Sequence, residues 1–129
     1  MEATNVKTRA AHFTVLEEDI VQIIWNAKRL ELEDCSMSMA NIHLYTKQRP
    51  LYYISDITAV KGMSKEARDY FKSSDFQSKT QGIALIVDDG ISKITANFFM
   101  SSLKKSCPIK TFTQEDAALA WLISLKNTI

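Results

Sequence analysis

The sequence predicts an α/β domain: a mixed sheet of about five strands, in the order ββαβαβαβα, covered by about four helices. Three observations predict it. Two β-branched and aromatic runs, Ala11 to Leu16 and Ile20 to Trp25, flank Glu17-Glu18-Asp19, which is the pattern of a hairpin with a solvated turn. Two short apolar runs, Leu51 to Ile54 and Gly82 to Val87, are too short for buried helices and lack polar alternation, as strands covered on both faces do. The segments after them carry apolar residues at helical spacing. Strands that alternate with helices in this way build parallel crossover units on one sheet.

Taken in order, the hairpin ends at a polar break, Asn26 to Arg29. Leu32, Cys35, Met39 and Ile42 then recur at helical spacing, with Glu33 and Asp34 in the first turn, where they complement the helix dipole. Pro50 disfavours helical geometry at Arg49, so this helix is expected to end near Lys47. The strand Leu51 to Ile54 runs into Ser55-Asp56, and a second helix opens at Ser64 with Ala67, Tyr70 and Phe71 on its apolar face. It weakens at Ser73-Ser74-Asp75, and the pattern leaves 75–79 undecided. After Gly82 to Val87, Asp88-Asp89-Gly90 turns into a third helix, Ile91 to about Leu103. Its expected inward residues are Ile91, Ile94 and Phe98, with Phe99 or Met100 turned partly away. Ser106-Cys107-Pro108 breaks it. Ile109 to Phe112 is a last strand, and Thr113 opens a final helix with Asp116 three positions on as a short capping box. Ala117, Leu119, Ala120, Leu122 and Ile123 make that helix broadly apolar, with Trp121 among them.

The chain has 129 residues, 46% of them hydrophobic and 24% charged, which suits one domain spanning 1–129 with an ordinary core. Sixteen Lys and Arg against fifteen Asp and Glu leave a net charge of +1 with interspersed signs. A nucleic-acid binder needs a basic stripe to displace counterions from phosphates, so that class is disfavoured. Cys35 and Cys107 show no metal-ligand or redox spacing and read as reduced thiols. No apolar run reaches the length of a membrane span, and Met1 to Arg9 is polar. The expectation is a cytoplasmic protein.

Signatures of chemistry are absent. No serine sits in a nucleophile elbow, and three glycines make no phosphate-cradling loop. His12 and His43 are isolated, and each reads as a structural or exposed histidine. Asp56, Asp88 and Asp89 fall at predicted carboxyl ends of strands, where a hard cation wants clustered carboxylates; the competing reading has Asp56 bonding its own turn and Asp89 capping a helix. The expectation is therefore no catalytic residue, no cofactor and no metal. Residues just past the carboxyl ends of strands are where partners meet such folds. Phe98-Phe99-Met100 is more apolar bulk than one helix face buries. The candidate interaction surface is accordingly Asp56, Thr58, Ser64 and Lys65 with Phe99 and Met100.

With this order of elements, FTVLEEDIVQIIW, YYISDITAVKGMSKEARDYF, IALIVDDGISKITANFF and PIKTFTQEDAALAWL together resemble the STAS superfamily (sulfate transporter and anti-sigma antagonist), in particular its small bacterial SpoIIAA-like members. The resemblance implies a binding or regulatory module that acts on a protein partner or a second copy of itself. Some SpoIIAA-like proteins are also similar to the lipid-binding CRAL-TRIO fold, which implies as an alternative a carrier or sensor of a small apolar ligand or a membrane surface. The anti-sigma antagonists' Asp-Ser-Ser-Gly pattern falls here on Ser64-Lys65-Glu66-Ala67. Lys65 occupies the phosphoserine position and Ser64 that of the aspartate, so the phosphorylation switch is not implied.

Overall fold

A computed structural model describes residues 4–88, 90, 93–97, 100 and 107–128, with backbone alone for 4 and 5. Its strands are β1 (Thr4–Lys7), β2 (Ala11–Glu17), β3 (Ile20–Trp25), β4 (Arg29–Leu30), β5 (Leu51–Asp56), β6 (Gly62–Met63), β7 (Thr80–Ile86) and β8 (Ile109–Phe112). The helices are α1 (Leu32–Tyr45), α2 (Lys65–Lys72), the single turn α3 (Ser74–Gln77), α4 (of which 93–97 and 100 are described) and α5 (Glu115–Lys126).

Six strands form a mixed sheet in the order β1-β2-β3-β5-β7-β8, and β4 pairs with β6 in a separate two-stranded ribbon. The hairpin pairs antiparallel from Ala11↔Trp25 to Glu17↔Ile20, with β1 added antiparallel along β2. β3, β5, β7 and β8 are mutually parallel. The five expected strands are present, and β1, the β4–β6 ribbon and α3 come in addition.

Alternation along the strands divides the core in two. Phe13, Val21, Ile23, Trp25, Leu51, Tyr53, Ile83 and Leu85 face a layer built from Cys35, Met39 and Ile42 of α1, Ala67 and Phe71 of α2, Phe76 of α3 and Ala96 of α4. Ile20, Tyr52, Ile54, Ala84 and Ile86 face the other way, against Ala118 and Leu122 of α5. That helix lies over β5, β7 and β8.

Several expectations are corrected. Helix α1 ends at Tyr45 rather than near Lys47, because Lys47 (φ 57°) and Gln48 (φ 64°) adopt the left-handed conformation. The Gln48 N–H donates to the His43 carbonyl at 3.0 Å, closing the helix in the hydrogen-bonding pattern that glycine usually completes. Non-glycine residues there cost roughly 1–2 kcal/mol each. Helix α5 is capped at Gln114, not Thr113, and no side-chain bond caps it; Glu115 and Asp116 supply the acidic first turn.

Ile94, expected to face the sheet, is 62% exposed. Ala96 is the inward residue of α4, and two positions along a helix turn the side chain by about 200°. Met100, one turn beyond Ala96, is half-buried against the larger core cluster. Ile91, Phe98 and Phe99 lie outside the described residues.

Candidate functional site

The carboxyl end of β5 is held by local hydrogen bonds. Ser55 Oγ accepts from the indole Nε1 of Trp25 at 3.0 Å. Asp56 Oδ1 accepts from both the backbone N–H (3.0 Å) and the hydroxyl (2.8 Å) of Thr58, so the carboxylate bonds its own turn. The chain then forms the ribbon, with the Ser64 N–H donating to the Leu30 carbonyl at 2.9 Å. Ser64 Oγ accepts from the Ala67 N–H at 3.0 Å, the N-cap of α2, and Ser64 is only 4% exposed. Lys65 is exposed and pairs with Asp69 one turn on, at 3.2 Å.

Of the proposed surface, Asp56, Thr58 and Lys65 are therefore accessible, Ser64 lies beneath them as a cap, Met100 is half-buried, and Phe99 is outside the described residues. Asp89 is outside them too. Asp88 Oδ1 accepts from the Gly90 N–H at 2.9 Å. Among the described residues no group of three His, Cys, Asp or Glu is placed to hold a metal ion.

Above β5 and under the helices lies an apolar cavity of about 40 Å³. Ile57, Val60 and Met63 of the β5–α2 connection wall it on one side and Thr95 of α4 on another, with Tyr53, Met39 and Phe76 deeper in. Its floor is an aromatic cluster. Phe76 stacks on Tyr53 at 6.2 Å between ring centroids and meets Phe71 edge-on at 4.9 Å, and Trp25 meets Phe71 at 6.4 Å. Tyr53 is 2% exposed, and its hydroxyl has no hydrogen-bond partner among the described residues. Burial, reinforced by nearby Tyr70, raises its pKa well above the ordinary tyrosine value and keeps it a neutral donor.

A second opening, a cleft of about 290 Å³, lies at the opposite end of the strands, where α1 ends and β7 begins. Its polar groups come from Ser36, His43, Gln48, Tyr70, Asp75 and Lys79. Lys79 Nζ donates to Gln48 Oε1 at 3.1 Å. His43 is 8% exposed, and its Nδ1 has no hydrogen-bond partner among the described residues. Burial lowers the His43 pKa; Lys79 lowers it further, and Asp75 opposes both. Burial, with Asp75 and Cys35, pushes Tyr70 up to about 12. Cys35 is likewise pushed up to about 12 by burial and the carboxylates of Asp34 and Glu31, which leaves it a thiol rather than a nucleophile.

The sequence reading treated His43 as isolated. The signal that places it inside is its position four residues after Met39, on the same face as Cys35 and Met39. Asp75 and Lys79 carry no comparable sequence signal, since they come to the cleft beside His43 only through the packing of α1 and α3 on the sheet.

A six-stranded mixed sheet with a leading hairpin and four parallel strands, four helices on one face and one on the other, defines an α/β protein with a SpoIIAA-like fold. The chain is similar to a structure of an uncharacterized protein from the DUF3478 family with a SpoIIAA-like fold from Shewanella loihica PV-4. The likeness covers 94% of this chain and 92% of that one, with a TM-score of 0.59 and 14% sequence identity, and it is a likeness of fold. The chain belongs to the DUF7793 family, described as a domain of unknown function, whose model matches residues 14–126. Curated proteins returned no match. Among the described residues no helix is long and apolar enough to cross a membrane.

Proposed function

We propose that the chain is a non-enzymatic binding module that engages a protein partner through the rim formed by the β5–α2 connection and α4. One observation supports this most: Ile57, Val60 and Met63 of the connection and Thr95 of α4 wall the same cavity, so two stretches far apart in sequence border one surface. That rim carries Asp56, Thr58 and Lys65 as polar groups and Ile94 as a large exposed apolar one. An apolar anchor beside polar groups is the composition of a contact surface. The side chains that acid–base chemistry would need at this end are engaged in the fold itself, Asp56 with Thr58 and Ser64 with Ala67.

The test uses Ile94→Asp, a change at an exposed site expected to leave the thermal melt unmoved. Affinity purification from the native host is expected to return a stoichiometric partner with the wild-type chain and to lose it with Ile94→Asp and with Lys65→Glu. Equal recovery with all three chains would refute the rim as the contact.

A second reading, a carrier or sensor of a small apolar ligand, is favoured by the cavity and by its lining residue Tyr53, whose buried hydroxyl has no hydrogen-bond partner among the described residues. Apolar enclosures with few polar groups are the usual form of small-molecule sites. Native mass spectrometry of the purified chain is expected to show a co-purifying small molecule on this reading.

A further inference from the structure

The cavity and the cleft share a wall. Met39 and Phe76 line both of them, one facing the other across the junction of α1 and α3. The two openings have complementary chemistry. On the cavity side the lining is apolar, from Ile23, Leu30, Val60 and Leu85. On the cleft side it is polar and carries the cation Lys79, whose ammonium donates to the neutral amide of Gln48 at 3.1 Å. The two buried polar atoms that lack partners among the described residues, His43 Nδ1 and Tyr53 Oη, belong to residues lining the cleft and the cavity respectively. Buried polar groups are paired in the great majority of native structures, so two orphans on either side of one partition call for an explanation.

The partition is also suited to opening. Met39 is unbranched, with three rotatable side-chain bonds, and adapts its shape more readily than other core residues. At His43 the positive charge of Lys79 outweighs the negative charge of Asp75. Lys79 is the cation among the described residues that line the cleft, where it can face an anion, with the His43 ring beside it and Asp75 opposed.

We propose that cleft and cavity together form one site for a small amphipathic carboxylic acid, with its carboxylate at Lys79 and His43 and its hydrocarbon part passing between Met39 and Phe76 into the cavity. The proposal rests on the carrier reading and gives that ligand a chemical class. The Lys79 ammonium supplies charge, the His43 ring a hydrogen bond from Nδ1, which has no partner among the described residues, and the cavity removes the chain from water. With about 40 Å³ open before any side chain moves, the cavity admits a few carbon atoms and no long lipid tail.

Titration calorimetry of the purified chain with sodium propanoate through sodium octanoate tests this, with the matching 1-alkanols as neutral probes. Affinity is expected to rise about fourfold per added methylene, as removal of a methylene from water implies, and to level off once the cavity is full. Val60→Ile, which fills part of the cavity, is expected to bring that plateau to a shorter acid. Lys79→Gln is expected to weaken acid binding at least tenfold and to leave alcohol binding unchanged. Absence of binding by every acid at millimolar concentration, affinity independent of chain length, or an equal loss for acid and alcohol in Lys79→Gln would each overturn the assignment. Binding of alcohols alone, or a neutral molecule in the native mass spectrum, would leave the carrier reading standing and defeat the acid. The rim reading is untouched by either result, since it is decided at Ile94.

Discussion

The two faces of the sheet solve the same packing problem differently. On the α5 face, small residues let the backbone layers approach: Ala84 of β7 packs with Ala118 and Leu122, and Gly82 lies against Leu125. A methyl group at Gly82 would sit 2.9 Å from Leu125 Cδ2 and 3.1 Å from Tyr52 Cδ1, so nothing larger than glycine fits without movement. On the opposite face, Trp25, Tyr53, Phe71 and Phe76 meet largely edge to face, and rigid rings at such angles leave the gap that becomes the cavity. One helix packs closely over β7, with an opening of about 310 Å³ at its N-terminal end bordered by Phe112, Gln114, Ala117 and Lys93. Four helices over large rings leave their face with space inside and a cleft at one end. The cavity and the cleft both lie on the four-helix face.

The largest test of this contrast is Leu122→Ala. Leu122 is fully buried in the close-packed layer, which has little freedom to collapse, and the expected cost is about 2–5 kcal/mol in urea melts. A loss below 1 kcal/mol would mean that the α5 face is not the tighter one.

Opposite signs are expected for adding one carbon to each face. Gly82→Ala forces Leu125 and Tyr52 to shift; overpacking outweighs the entropy gained in the unfolded chain, and the net cost is about 1 kcal/mol. Val60→Ile places a methylene in the cavity instead and should stabilise by about 0.8 kcal/mol. If both variants move the urea midpoint in the same direction, the faces are packed alike.

The smallest expected effect is a pH dependence confined to the cleft side. Burial and Lys79 hold His43 below its ordinary value of 6.5, so the unfolded chain takes up the proton first as pH falls. His43 thus contributes stability that is complete above about pH 6.5 and declines as pH drops from there toward the folded value. Asp34 does not mask this. Burial would raise its pKa, but the Glu31 N–H and the Arg9 guanidinium together hold it below its usual value of 3.8, and its contribution is lost only in more acidic solution. In His43→Gln the slope of stability against pH just below 6.5 should flatten, whereas Leu122→Ala should keep it. A slope unchanged in His43→Gln would place the titration elsewhere.

Local sequence determined those features whose cause is local. The hairpin follows from two strand-forming runs around three acids. The Ser64 cap and the Asp56 turn close between residues two or three apart, so residue type and spacing are enough to predict them. The buried strands are legible because a strand covered on both faces has no polar alternation. Strand β1 is not legible, because TNVK has little apolar character and is a strand only by pairing with the free edge of β2. Nor does the sequence say which way Ile94 points, since a helix with apolar residues on several sides has no preferred face until Ala96 is pressed against the core. The arrangement of cavity and cleft belongs wholly to the tertiary structure. His43 lies on α1, Tyr53 on β5 and Lys79 between α3 and β7, and only the seating of α1 and α3 on the sheet brings these residues to the cleft and the cavity that Met39 and Phe76 both line.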